Sequence, residues 1–218
     1  MFDCEVRAIE PDVIAWRRHL HQNAEVSFEE VETTLWLEAR LREIGVDRID
    51  RPTKTGLVAH IHGKKPGRCA VVAFRADIDA LPMTEDNDLP YCSTNPAAMH
   101  ACGHDGHAAI QLALARLLCE HRESFSGEAR LIFQHAEELP PGGAIELVRA
   151  GALVGAEAVL GLHLSSNFDT GYFALKEGVL TSNVDRFTIT VTGKGGHCAF
   201  PEQCADPLLA ASEIVLSL

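Results

Sequence analysis

The sequence predicts an α/β sandwich whose sheet is at least partly parallel, with a smaller antiparallel sheet beginning near its end. Between residues 56 and 164, short apolar runs alternate with amphipathic helical patterns, the order expected of layered strands and helices. The run Cys-Ala-Val-Val-Ala-Phe within 69–76 is continuously apolar, as a strand covered on both faces is. At 186–192 the texture changes. Phe187, Ile189 and Val191 alternate with Thr188, Thr190 and Thr192, the pattern of a strand with one side in water.

Val13, Trp16 and Leu20 mark a first short helix opened by Pro11. Ser27 followed by Glu30 is a capping-box signature for a second helix, with Phe28, Val31, Leu35 and Leu41 on its face and Gly45 closing it. Strands over 56–62 and 69–76 are joined by the Gly-Lys-Lys-Pro-Gly turn at 63–67. A helix over 108–120 carries Ile110, Leu114, Leu117 and Leu118 at helical spacing. A buried strand over 130–134, a helix over 144–150 capped by Gly151 and a strand over 158–164 follow. Beyond 186–192, Asp206 caps a helix with Pro207 at its first position and Leu208, Leu209, Ile214, Val215 and Leu218 apolar. The chain stops inside that apolar pattern, with neither a glycine cap nor a polar tail, which reads as the front part of a longer protein.

The 218 residues give ample length for a buried core, and 46% hydrophobic with 23% charged residues is ordinary globular composition. The formal net charge is −12 and no basic run extends beyond Gly63-Lys64-Lys65, which argues against nucleic acid or an anionic membrane surface as partner. No apolar stretch reaches the roughly 18 residues of a membrane span. The N-terminus Met1-Phe2-Asp3-Cys4-Glu5 lacks the layout of a secretory signal. Seven cysteines, an odd number, form no regular framework and no CxxC pair, and Cys69 and Cys119 sit in apolar runs as small buried hydrophobes. A reduced, cytoplasmic setting fits, and a closed structural zinc knuckle does not.

Residues 99–107, Met-His-Ala-Cys-Gly-His-Asp-Gly-His, concentrate more metal-ligand types than any other stretch. Cys102 and His104 leave an extended backbone on one side, and a thiolate with an imidazole suits zinc and other late transition metals. The bland alternative is a glycine turn before a helix that happens to carry histidines. Three further motifs follow apolar runs, where open α/β sheets place their ligand sites. Asp77 and Asp79, in 75–82, are either solvated turn formers or site carboxylates. Glu137 and Glu138 leave a strand and enter a Pro-Pro-Gly-Gly turn, and His163 ends another strand. Hydrolysis at a metal centre needs one carboxylate to hold an ion and another to take a proton from water, a division that a glutamate pair suits.

The strings RRHLH, RADIDALPM, MHACGHDGHAA, QHAEE, GLHL and GKGGHCAFPEQCADPL, in that order, resemble the M20 metallopeptidase family over essentially the whole chain. The likeness is strongest to its amidohydrolase branch of hippurate hydrolases, N-acyl-amino-acid amidohydrolases and indole-acetyl-amino-acid hydrolases. It implies a zinc-exopeptidase-like, mixed-sheet α/β/α catalytic domain over 1–181, then the start of a smaller α+β lid and dimerisation domain over 182–218. It also implies a site of two divalent ions (Zn, Mn, Co or Ni) held by Cys102, His104, Glu138 and His163. Glu137 becomes the general base, and Asp77 and Asp79 orient the ligating imidazoles from behind. His197, in the lid, reaches across a homodimer to steady the oxyanion in the partner's site. The implied substrates are N-acyl amino acids or related small amides bearing a carboxylate.

Several features depart from that pattern. Glu202 stands where the family frequently has a histidine, and other branches carry a ligand histidine at the place of Asp77. The family's last ligand, a C-terminal histidine, has no counterpart before Leu218, leaving four of the five ligands in the chain. Two readings compete: a fragment that binds metal or dimerises without turnover, and a Cys/His nucleophilic hydrolase built on Cys102 with His104 or His107. The second leaves the glutamate pair and His163 without a task. His100 and His107 are read as supporting residues.

Overall fold

The computed structural model describes residues 3–181, 185 and 187–218. They divide into two compact units, Met1–Asp169 and Thr170–Leu218. The first contains α1 (Asp3–Gln22), α2 (Val31–Ile44), β1 (Arg48–Asp50), β2 (Leu57–His62), β3 (Val71–Asp77), α3 (His104–Glu120), β4 (Glu128–Gln134), α4 (Gly143–Arg149) and β5 (Ala156–Gly161). Its strands form one sheet in the order β1-β2-β4-β3-β5. β1 and β2 are antiparallel, as are β2 and β4, whereas β4, β3 and β5 run parallel. Parallel strands need crossovers: α3 supplies the one between the neighbours β3 and β4, and α4 the one that carries the chain from β4 past β3 to β5. The pairing of Asp77 with Gln134 brings the ends of β3 and β4 level.

Alternation along the strands builds two apolar layers. Leu57, Ala59 and Ile61 of β2 and Ala129, Leu131 and Phe133 of β4 cluster with Leu20 of α1, Leu37 and Leu41 of α2, and Leu112 of α3. The intervening Val58 and Ile132 join Ala73 of β3 and Leu147 of α4. Helices therefore cover both faces, the expected mixed-sheet α/β/α arrangement, and β4 is buried from Ala129 to Gln134.

Local expectations fail for identifiable reasons. Pro11 lies inside α1 instead of opening it. The apolar stripe Val13, Trp16, Leu20 continues back to the buried Ile9, so packing upstream outweighs the single N–H that proline lacks. No capping box forms at α2: the Glu25 carboxylate accepts from Glu32 N at 3.2 Å and Thr33 N at 2.8 Å in its stead. Cys69 precedes β3 and is exposed, so it is no core residue. α3 starts at His104, earlier than the apolar pattern indicates, and β1 is too short for any periodicity to reveal.

In the second unit the helix expected after Asp206 forms as α5 (Pro207–Ser217), its N-cap carboxylate accepting from Leu208 N at 2.9 Å. The strand expected over 186–192 does not: residues 187–192 carry no ladder, and Arg186 lies outside the described residues. A strand persists only where a neighbour takes up its N–H and C=O groups. Among the described residues of this unit the one such contact is the bridge between Lys194 and Ala205.

Leu131 is fully buried at the centre of the larger layer. Leu131→Ala is expected to cost about 2–5 kcal/mol in urea unfolding. A cost under about 1 kcal/mol would contradict this assignment of the core.

Candidate metal centre

The C-terminal ends of β3, β4 and β5 and the first turn of α3 deliver the chemically active side chains to one place. Asp77 ends β3 and Asp79 follows it, both buried. Gly103 precedes α3 with φ 84°, a left-handed conformation that suits glycine and turns the chain so that His104 opens the helix.

His104 is fully buried, and its Nδ1 donates to Asp79, at 2.9 Å to the backbone oxygen and 3.2 Å to Oδ1. That fixes the tautomer and leaves Nε2 with a free lone pair. Nε2 has no hydrogen-bond partner, and neither does Glu138 Oε1, 3.8 Å away and equally cut off from water. Buried polar atoms are ordinarily paired, so two orphans facing each other mark room for a cation.

On the other side, Cys102 Sγ lies 3.5 Å from His163 Nε2, while His163 Nδ1 donates to Leu164 O at 2.6 Å. Cys102, His104 and His163 form one group whose ligand atoms lie within 4.8 Å of one another, and His104, Glu137 and Glu138 form a second. His104 is common to both, and the soft, imidazole and carboxylate donors fit divalent transition metals. In a third grouping, Asp77 with His104 and His107, the His107 side is satisfied without an ion, whereas Asp77 Oδ2 has no hydrogen-bond partner and lies 3.5 Å from His104 Nε2. His107 Nε2 accepts from Leu164 N at 2.8 Å, so its Nδ1 carries the hydrogen given to Asp77 Oδ1 at 2.5 Å. Asp77 also pairs with Arg75 at 2.7 Å. Gly106 leaves room on this side: a Cβ there would sit 2.4 Å from Leu164 Cδ1, so that leucine side chain would have to turn.

Burial alone would raise the Asp79 carboxyl, but bonds from His104, the backbone of Glu138 and Ser27 overcome it and bring its pKa to about 2. Glu137 moves the opposite way, raised by burial and then by Glu138 and Asp77. The Cys102 thiol is pushed up to about 12 by burial and by the carboxylates of Glu138, Glu137 and Asp77. A concentration of negative charge that opposes a thiolate is a setting that a divalent cation relieves.

His100 is buried close by, its pKa lowered to about 4 by burial. The RRHLH motif acts from behind: Arg17 Nε pairs with Asp105 Oδ2 at 2.7 Å, and His21 Nδ1 meets the same oxygen at 2.8 Å, tying α1 to the first turn of α3. His197 lies in the second unit, where its Nδ1 accepts from Ala199 N at 3.1 Å and its ring lies beside Phe200. The single-sequence reading missed Arg75, whose partner Asp77 two residues on was in plain view, and the reach of Ser27 and Glu30 into this region.

Fold and site together define an α/β protein with a candidate dinuclear metal centre. The profile of the peptidase family M20/M25/M40 matches residues 73–213, more than half of the chain, and the chain belongs to that family. It is 46% identical over 213 residues to an N-acyl-L-amino acid amidohydrolase of Geobacillus stearothermophilus, covering 98% of this chain and 57% of the relative. A putative aminohydrolase of methicillin-resistant Staphylococcus aureus superposes with a TM-score of 0.82 at 36% identity, over 98% of this chain and 56% of that one. The YXEP protein of Bacillus subtilis, described as a dinuclear metal binding peptidase from the M20 family, gives a TM-score of 0.68 at 42% identity, over 73% and 44% of the two chains. The chain spans about half the length of the curated relatives it matches.

The Asp79 carboxylate supplies a signed prediction. Its folded pKa of about 2 lies below the ordinary 3.8, so its contribution to stability is present above pH 3.8 and is lost as pH falls towards 2. The shift corresponds to about 2 kcal/mol. In metal-free protein, Asp79→Asn should therefore lower unfolding free energy more at pH 6 than at pH 3, and an equal loss at both would refute the ionic role.

Proposed function

We propose that this chain carries the metal site of an amidohydrolase that cleaves the amide bond of N-acyl amino acids and related small amides bearing a carboxylate. The observation that carries the reading is the pair of unpartnered buried atoms, His104 Nε2 and Glu138 Oε1, beside the Cys102–His163 contact. Cys102, His104, Glu138 and His163 would hold two divalent ions, of zinc, manganese, cobalt or nickel. Such ions, when bound, bring the pKa of an attacking water towards about 7 and polarise the carbonyl.

Glu137 takes that water's proton and hands it to the leaving amine. Its proton affinity is raised by partial burial and by the neighbouring Glu138 and Asp77, which suits a proton acceptor, while the residue stays open to solvent. Asp79 holds His104 in the tautomer that points Nε2 inward. Asp77 acts one step further out, fixing His107 and through it the backbone beside His163. His197, from the partner protomer of a homodimer, donates to the developing oxyanion. Residues 1–181 then serve as catalytic domain and 182–218 as the start of the lid and dimerisation domain. Among the described residues no helix is long and apolar enough to cross a membrane, and seven free cysteines suit a reducing, cytoplasmic compartment.

A Cys102 nucleophile fits poorly, because such cysteines need a depressed pKa and this thiol is raised to about 12. Excess EDTA is therefore expected to abolish hydrolysis of N-acyl amino acids, and metal add-back to restore it. Activity that survives chelation and dies on thiol alkylation would overturn the metal reading. Glu137→Ala should reduce turnover by at least about a hundredfold, the usual scale of a general base, with metal content near normal. Glu138→Ala should lower metal occupancy itself, measured by elemental analysis of dialysed protein. Equal metal loss in both would mean the two roles are wrongly divided.

A further inference from the structure

Ser27 and Glu30 have the spacing of a capping box, yet the N-terminus of α2 is capped by Glu25 and both residues are turned elsewhere. Glu30 is wholly buried, and its carboxylate accepts from the backbone N–H of Ala136 at 2.7 Å, across 106 residues of sequence. Its own backbone oxygen accepts from Thr34 Oγ1 at 2.5 Å, and Thr34 Oγ1 in turn accepts from Gly56 N at 2.9 Å, so the segment is fastened to the start of β2. A carboxylate carried out of water is costly unless something requires it there.

Ala136 supplies the requirement. Its φ is 45°, in the left-handed region that non-glycine residues other than asparagine and aspartate rarely occupy. It stays there between two hydrogen bonds: its N–H donates to Glu30, and its oxygen accepts from Gly143 N at 2.9 Å. This reversal after β4 returns Glu137 and Glu138 towards His104. Ser27 acts on the same turn through Asp79, whose Oδ2 accepts from Ser27 Oγ at 2.7 Å and from Glu138 N at 3.0 Å. The two anchored N–H groups, of Ala136 and Glu138, bracket Glu137.

We propose that Glu30, seconded by Ser27, is the positioning residue of the glutamate pair: it holds Ala136 left-handed and so aims Glu137 and Glu138 at the metal centre. The inference rests on the metal-site reading above, and its test needs no substrate. Cobalt(II) serves as probe, titrated into the full 218-residue chain and followed by its visible absorption, with melting temperature measured alongside. Glu30→Ala should weaken cobalt binding by roughly ten- to a hundredfold, the scale typical when the support behind a ligand is removed. Glu30→Gln, whose amide oxygen accepts the same N–H, should keep most of the affinity. Adding Ala136→Gly to Glu30→Ala should recover much of the loss, because glycine adopts positive φ unaided.

Cobalt affinity and spectrum unchanged in folded Glu30→Ala would overturn the inference. So would a loss that Ala136→Gly does not relieve, since the damage would then be general. If Glu30→Ala does not fold, Ser27→Ala carries the test: weaker cobalt binding at an unchanged melting temperature supports the device, and unaltered binding refutes it. A parent chain that binds no cobalt removes the metal reading and this inference together, whereas a binding-competent parent matched by its variants removes the inference alone.

Discussion

Four carboxylates, Asp77, Asp79, Glu137 and Glu138, are brought to the ends of neighbouring parallel strands, and their mutual repulsion is the constraint around which the rest is arranged. Like charges held close in a poorly hydrated space separate in proton affinity unless donors or cations intervene. Here the donors are shared unequally. Asp77 has Arg75 and His107, and Asp79 has His104, Ser27 and a backbone N–H, whereas burial and its neighbours leave Glu137 more easily protonated. One environment thus yields both firmly ionised carboxylates and a carboxylate disposed to accept a proton.

The scaffold serves that arrangement in layers. β4, enclosed on both faces, fixes where the Gln134–Glu138 segment leaves the sheet, and its parallel register with β3 fixes where Asp77 ends. Behind α3, Asp105 gathers Arg17 and His21, and His21 reaches on to Glu85 at 3.1 Å. The Asp105 hydrogen bond leads in raising the pKa of His21 against the opposing effect of burial. The helix that presents His104 is therefore tied to α1 by ionic contacts as well as by apolar packing.

What the sequence made legible follows from how local each signal is. Strands β2 to β4 and helices α2 to α4 announce themselves by periodicity or by unbroken apolar runs because each packs against the core, whereas β5 is largely exposed and legible only as an apolar run. The candidate site residues were readable because Cys102, His104, Glu137, Glu138 and His163 stand at or just beyond the ends of regular elements. Other features depend on partners far along the chain. Ser27 and Glu30 carry the spacing of a cap, and nothing nearby reveals that Glu25 takes the capping role or that Ala136 lies 106 residues on. Pro11 reads as a helix opener only while Ile9 is overlooked. The threonine-and-apolar alternation at 187–192 describes what a strand there would look like without supplying the neighbour that makes it one.

Gly106 sets a clearance. The missing methyl group leaves space for the Leu164 side chain against the first turn of α3, beside the Leu164 N–H that reaches His107. The spacing on that side of the candidate centre is thus set where a glycine meets a leucine methyl group, and the leucine is the partner that can give. A larger residue at this position would first be met by the half-exposed Leu164 side chain, which can turn aside before the backbone beside His163 has to move. Any substitution at Gly106 is therefore read out first in the rotamer of Leu164 and only afterwards in the position of His163.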